Sequence, residues 1–248
     1  MSPARRRPAI EEEADPEHFH WQTRASFVAE RERELVRGAF LPLGARVLDL
    51  GCGEGATLIH LGEPEGAVGV DRSEAKVSFA RQRARRCRFV RARAEQLPFE
   101  AGAFDHVLVR DVIHHLSAPE ALVAEAHRVL EPGGRLDVLE PCRYNPLIFL
   151  HAVLRPEERG ELRSSAGFLL GLLRDRFSVH SVEHRQPLPL HRLLFHPRLG
   201  QPSLARQPLI RGAVDGVERL AGRALPRPAW AYLHLRATRR LLPADRGG

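Results

Sequence analysis

Between residues 45 and 141 short apolar runs alternate with amphipathic stretches, and that rhythm constrains the fold more than any other feature of the chain. "ARVLDLG", "GAVGVDRS", "CRFVRARAE", the 104–109 run within "FDHVLVRDVIHHL", and "RLDVLEP" each read as a short strand. "EGATLIHLGE", "EAKVSFARQRARR" and "APEALVAEAHRVL" read as the helices between them; in the last, Leu122, Val123, Ala126, Val129 and Leu130 share one face. The glycines of "EPGG" are expected to end that helix, because glycine suits a helix C-terminus. Strand–helix alternation at this spacing implies a parallel sheet covered by helices. Ligands of such sheets bind just beyond the carboxyl ends of the strands. That rule gathers Asp49 with its glycines, Asp71, Ala94–Glu95, Arg110–Asp111 and Glu140 along one edge, although the sequence scatters them.

After Pro141 the rhythm breaks. "NPLIFLHAVL", "GELRSSAGFLLGLLRDR" and "PLIRGAVDGVERLAGR" read as helices, and "FSVHSVEHR" and "AWAYLHLRATRR" as strands that complete the same sheet. Ahead of the sheet, residues 24–40 place Phe27, Val28, Leu35, Val36 and Phe40 at helical spacing. Residues 1–16, with an arginine triplet and then an acidic triplet, read as a disordered tail. The expected fold class is therefore α/β, with a doubly wound, mostly parallel seven-stranded sheet and helices on both faces.

The turn after the first strand, "VLDLGCGEGA", narrows the ligand. Gly51, Gly53 and Ala56 match a dinucleotide-type G-x-G-x-x-A turn, and Asp71 follows 20 residues after Gly51. Taken alone, that pattern fits NAD. Asp49 and Glu54 oppose it, because a diphosphate seeks the free N–H groups of a helix N-terminus and is repelled by carboxylates. The same carboxylates suit a ligand with an ammonium group and no phosphate, such as S-adenosyl-L-methionine.

With these motifs in view, the chain resembles the class I S-adenosylmethionine-dependent methyltransferases of the small-molecule, methyltransferase-11-like type. "VLDLGCGEG", "VGVDRS", "AEQLPFEAGAFDHVLVRDVIHHL" and "HRVLEPGGRLDVLEP" match that family's motifs in order across residues 45–141. The resemblance implies a Rossmann-like fold with an N-terminal helical lid over residues 17–44, a cofactor-binding half at 45–141 and a substrate-selecting half at 142–248. Its implied cofactor contacts are Asp49 at the amino-acid end, Gly51, Cys52 and Gly53 in the turn, and Asp71 on the ribose hydroxyls. Arg72 is expected near the adenine, Ala94 on the adenine edge, and Glu95 and Arg110 within the same cleft. Cys52 is read as a small filler in the turn. One departure stands out: where the family often has an acid that meets the adenine amino group, this chain has Arg93, which cannot accept a hydrogen bond. Glu95 can substitute, or backbone and packing can suffice. Phe19, Trp21 and Arg24 are the candidate lid residues. His114 and His115, beyond the fourth strand, are the candidate catalytic bases, since a neutral imidazole removes protons well near neutrality; His184 and His191 are weaker candidates.

Charge bears on the substrate. Up to Glu140 the chain has 20 basic and 23 acidic residues; after it, 18 and 8. All the basic residues but Lys76 are arginines, an excess that gene composition can produce without selection for a polyanion. The C-terminal part is also apolar, so the expected acceptor is a hydrophobic small molecule or lipid-like metabolite, apolar and anionic, methylated at oxygen, nitrogen or carbon. Peripheral membrane contact fits the same composition. The alternatives are an RNA methyltransferase and a noncatalytic S-adenosylmethionine-binding protein. Nucleic acid is disfavoured, because "VRDVIH" stands where amino-group base methylases carry their Asn/Asp-Pro-Pro-aromatic tetrapeptide. Cys52, Cys87 and Cys142 form no disulfide framework and lack metal-ligand spacing, so no metal is expected and the chain reads as cytoplasmic and reduced. Oligomeric state is left open.

Overall fold

The computed structural model describes residues 13–24, 26–198 and 200–241. Most of the expected tail, residues 1–12, lies outside them. Two helices lead, α1 (Pro16–Thr23) and α2 (Ser26–Phe40). The sheet then alternates with helices: β1 (Val47–Leu50), α3 (Ala56–His60), β2 (Val68–Asp71), α4 (Glu74–Arg83), β3 (Arg88–Arg91), β4 (Phe104–Arg110), α5 (Pro119–Val129) and β5 (Leu130–Pro141). The C-terminal part runs α6 (Pro146–Leu154), a 3₁₀ segment at Pro156–Arg163, α7 (Ala166–Leu173), β6 (Phe177–Arg185), α8 (Leu190–Leu194), α9 (Pro208–Ala224) and β7 (Tyr232–Arg239).

The seven strands lie in the order β3-β2-β1-β4-β5-β7-β6. β1 to β5 are parallel, and β7 runs antiparallel between β5 and β6. The central strands are covered on both faces, which is why β1 reads as a continuous run with all four residues buried. Leu48, Leu50, Val107, Val109, Leu136 and Val138 pack on one side, where α5 and α7 supply Leu122, Val123, Leu169 and Leu173. Val47, Leu108 and Leu139 pack on the other with Leu35, Val36, Ala39 and Phe40 of α2. β7 divides its residues by the strand period of two: Leu233, Leu235 and Ala237 join the first cluster and Tyr232 the second.

The helix expected within residues 24–40 is α2, Ser26–Phe40, and α1 is a separate helix ahead of it. Two local expectations are corrected. The expected helix over 160–176 divides, because Ser165 is extended and its side chain accepts the N–H of Phe168 at 3.2 Å, making it the N-cap of α7. The "EPGG" glycines do not cap α5; the helix stops at Val129, Leu130 is already extended, and the glycines lie within β5.

Candidate functional site

The carboxyl ends of β1 to β5 form the candidate site. After β1 the chain turns sharply, and the N–H groups of Gly51 and Cys52 both donate to the Val70 carbonyl of β2, at 2.8 and 2.9 Å. Gly51 adopts φ 73°, and a Cβ there would lie 2.3 Å from Val112, so both conformation and space require glycine. Gly53 adopts φ 51°, yet a Cβ there would meet nothing within 4 Å. Its backbone faces open space, room that a ligand can occupy.

Asp49 is 1% exposed, and its Oδ2 atom has no hydrogen-bond partner. Burial pushes its carboxyl up to about 7; Arg110 pulls against this and the Asp71 carboxylate adds to it. A buried carboxylate oxygen without a donor is costly unless a ligand supplies one. Asp71, at the end of β2, accepts the Gly53 N–H on Oδ2 at 3.0 Å and the Ser73 N–H on Oδ1 at 2.9 Å. Each oxygen keeps a second lone pair for further donors. Arg72, beside Asp71, is exposed. Cys52 is buried, and burial together with the nearby Asp49 and Asp71 carboxylates holds its thiol protonated, in keeping with a filler role. Beyond β3, Ala94 and Glu95 are half-buried, and Glu95 Oε1 accepts from Arg93 at 3.3 Å.

Arg110 closes β4 but faces neither surface nor solvent. It donates to Glu32 Oε2 of α2 at 2.7 Å and lies 3.3 Å from Asp111. Arg192 of α8 also reaches Glu32, at 2.7 and 2.6 Å, and bonds the Tyr232 hydroxyl of β7. Burial pushes the Glu32 carboxyl up, but Arg192, the His191 side chain and Arg110 more than offset it and hold it well below the usual range. His191, a weak candidate base, is buried with Nδ1 2.8 Å from Glu218 Oε1. His184 sits on the edge strand β6, where it pairs in register with Leu233. Sequence reasoning missed Glu32, although a glutamate on the same helix stripe as Val28, Leu35 and Val36 was a readable sign of a buried charge. Arg192 gave no such sign.

The 3₁₀ turn Ile113–His115 is built by Glu140 at the end of β5. Glu140 Oε1 accepts the N–H groups of Val112 and Ile113 at 2.7 and 2.8 Å, and Oε2 lies 2.7 Å from His114 Nδ1. His114 is buried; burial alone would lower its pKa, but Glu140 and Glu158 raise it well above the ordinary value. A general base needs a free lone pair at neutral pH, and this arrangement does not favour His114 in that role. His115 is more open, with its side chain 30% exposed.

Helix α1 lies against the glycine turn. Asp15 caps it by accepting the His18 N–H at 3.1 Å, while the Asp15 N–H donates to Glu54 Oε1, also at 3.1 Å. Phe19 packs edge-on against Phe79 of α4, ring centres 5.0 Å apart. Trp21 joins Phe27, Val28, Phe195 and Val214 in a separate cluster, and Arg24 is exposed at the helix end.

Fold and strand-end geometry together define a class I methyltransferase-type α/β domain. Residues 48–138 match Methyltransf_11, described as a methyltransferase domain. The chain is 33% identical over 131 residues to 27-O-demethylrifamycin SV methyltransferase of Amycolatopsis mediterranei, covering 48% of each chain. It is 40% identical over 102 residues to demethylmenaquinone methyltransferase of Thermus thermophilus, covering 38% of this chain and 46% of that one. The solved structure of the cyclase SpnF superposes with a TM-score of 0.57 at 25% identity, over 87% of this chain and 82% of that one. Across the first curated relatives it matches, the chain spans 30% to 51% of their length.

Proposed function

We propose that the protein transfers the methyl group of S-adenosyl-L-methionine to an oxygen, nitrogen or carbon atom of a hydrophobic small molecule. One observation carries the reading: the buried, unpartnered Oδ2 of Asp49 in β1, four residues before Gly53, where a Cβ would meet nothing within 4 Å. An ammonium-bearing ligand satisfies that oxygen, and a diphosphate does not. When bound, S-adenosylmethionine supplies a methyl group already activated on a sulfonium, so the protein's contribution is chiefly positioning. Asp49 accepts from the amino-acid end, directly or through water. Asp71 offers its remaining lone pairs to the ribose hydroxyls. The Ala94 N–H and Glu95 take the adenine, with Arg72 alongside. Arg110 holds Asp49 from behind by charge while tied to Glu32. Helix α1, with Phe19 and Trp21, acts as a lid that keeps water from the turn.

The acceptor side is proposed from the C-terminal part. Exposed Phe149, Leu150, Val153 and Leu154 on α6 lie between Arg143 and Arg155 in sequence, which suits an apolar molecule with an anionic group. The two curated relatives above are likewise named for small molecules. Among the described residues no helix is long and apolar enough to cross a membrane.

Titration calorimetry with S-adenosylhomocysteine and with NAD tests the cofactor. Binding of the first and not the second is expected, with Asp71→Ala weakening it by about 1–3 kcal/mol; NAD binding with no response to S-adenosylhomocysteine would overturn the reading. Transfer of labelled methyl to a small-molecule extract, and not to tRNA or rRNA, tests the reaction. Cofactor binding without transfer to either would favour a noncatalytic role or another reaction on this scaffold, as the cyclase name of SpnF illustrates.

A further inference from the structure

Two imidazoles and a carboxylate converge beside the candidate site. The His114 and His115 rings lie with centres 4.0 Å apart, tilted 42° to one another. Glu158 Oε2 lies 3.7 Å from His114 Nε2 and 3.8 Å from His115 Nε2, and one ligand atom from each residue falls within 4.8 Å of the others. We propose that His114, His115 and Glu158 form a binding site for a divalent transition-metal ion of the zinc type.

Three features support a built site. First, the donor set is right: two imidazole nitrogens and one carboxylate oxygen suit zinc and its neighbours, whereas magnesium and calcium prefer oxygen alone. Bonds of about 2.0–2.1 Å in tetrahedral geometry put ligand atoms about 3.4 Å apart. The two separations to Glu158, 3.7 and 3.8 Å, need only a few tenths of an ångström of closure, and the two imidazole nitrogens lie within 4.8 Å of each other. Second, the buried histidine is oriented from behind. Its Nδ1 lies 2.7 Å from Glu140 Oε2, so Nδ1–H donates there, and a metal ion that replaces the proton on Nε2 finds that nitrogen facing Glu158. Carboxylate–histidine–metal relays have this form, and the outer carboxylate fixes the tautomer. Third, the segment that brings Glu158 is clamped in place. A Cβ on Gly160 would lie 1.8 Å from the His114 carbonyl oxygen, so only glycine permits the approach. Arg163 donates to the carbonyls of His114 and Leu116 at 3.4 and 3.1 Å.

The turn and the 3₁₀ segment are thus locked together, and their three ligand atoms cannot drift apart freely. His115 and Glu158 remain 30% and 26% exposed, which leaves the ion's outer position open to water or to an oxygen of a bound molecule. Sequence spacing concealed the site. His114 and His115 are adjacent, and the third ligand lies more than 40 residues on, outside any short metal-binding motif. The expectation of no metal rested on cysteine spacing alone.

The site is independent of methyl transfer and is tested without the cofactor. Untagged full-length protein, stripped with a chelator, is titrated with Co²⁺ and followed by visible absorption, with Zn²⁺ as competitor. One equivalent of Co²⁺ with absorption bands of a low-coordinate N/O site, displaced by Zn²⁺, is expected. His115→Ala and Glu158→Gln, both at partly exposed positions, should each weaken Co²⁺ binding at least tenfold with an unchanged circular dichroism spectrum. Glu140→Gln should weaken it as well, within the 10–100-fold range seen for outer-shell partners. No saturable Co²⁺ binding, or saturable binding unaltered in both His115→Ala and Glu158→Gln, overturns the proposal. S-adenosylhomocysteine binding is measured in parallel, so failure of the metal site and failure of the cofactor reading are told apart.

Discussion

At the scale of single residues, Asp49 and Asp71 show how far a sequence can go. Their positions at the ends of β1 and β2 follow from the glycine turn and the strand period, and the structure places them there. The state of Asp49 was not legible, because it depends on burial from all sides. With its carboxyl at about 7, Asp49 is largely protonated in the free protein at pH 6. An ammonium ligand favours the carboxylate, so binding should release a proton there. Affinity for S-adenosylhomocysteine should therefore rise from pH 5 to pH 7, by up to roughly tenfold per unit, and level off above. Calorimetry at pH 6 in buffers of different ionisation enthalpy measures the proton directly. Asp49→Asn should abolish both the proton release and the pH dependence; a flat profile in the unsubstituted protein would contradict the assignment. The histidines teach the opposite lesson. "HH" read as a pair of bases, but Glu140, 26 residues downstream, takes the Nδ1 of His114, and nothing in the local sequence announces that partner.

At the scale of elements, helix positions were legible where apolar spacing was strong and less so at their ends. The Ser165 cap and the extended Leu130 are decided by single backbone conformations, which periodicity does not encode. The eight-residue helix α1 is too short to be stable alone. It is held by Phe19 against Phe79, by the Asp15–Glu54 hydrogen bond, and by Trp21 in the cluster with Phe195. If α1 is the lid, Phe19→Ala should open it more than it unfolds the protein. Apparent affinity falls in proportion to the closed fraction, so dissociation of S-adenosylhomocysteine should quicken about tenfold, equivalent to ~1.4 kcal/mol. Stopped-flow displacement checks this. An unchanged rate would make α1 a packing element only.

At the scale of the whole molecule, a buried charge hub crosses the sheet. Asp137 of β5 is 0% exposed, with His106 Nε2 and His234 Nε2 each at 2.8 Å, Arg135 at 2.9 Å and Arg236 at 3.1 Å. Arg135 and Arg236 also reach the carbonyls of Phe40 and Ala39, tying α2 to strands β5 and β7. Burial would raise the Asp137 carboxyl, but hydrogen bonds from His106 and His234 and their charges hold it far below the ordinary 3.8. A carboxyl depressed in the folded state stabilises fully above its unfolded value and loses that contribution as pH falls. Acid should therefore weaken the fold progressively below pH 3.8. Asp137→Asn should cost about 3–5 kcal/mol at neutral pH, the range for breaking a buried pair, and should flatten the acid limb of a plot of Tm against pH. A loss below about 1 kcal/mol, on the scale of an exposed pair, would show that the hub is solvated.

By itself the sequence determined the alternation of strands and helices, the parallel sheet, the glycine turn and the two carboxylates at neighbouring strand ends. All of these follow from local spacing and from the chemistry of adjacent residues. Only the tertiary structure decided which charges are buried and what each one faces. Glu32 with Arg110 and Arg192, Asp137 with His106 and His234, and Glu158 with the two imidazoles join residues far apart in the chain. A side chain's ionisation and ligand reach depend on every element packed around it, and that environment exists only once the sheet has assembled.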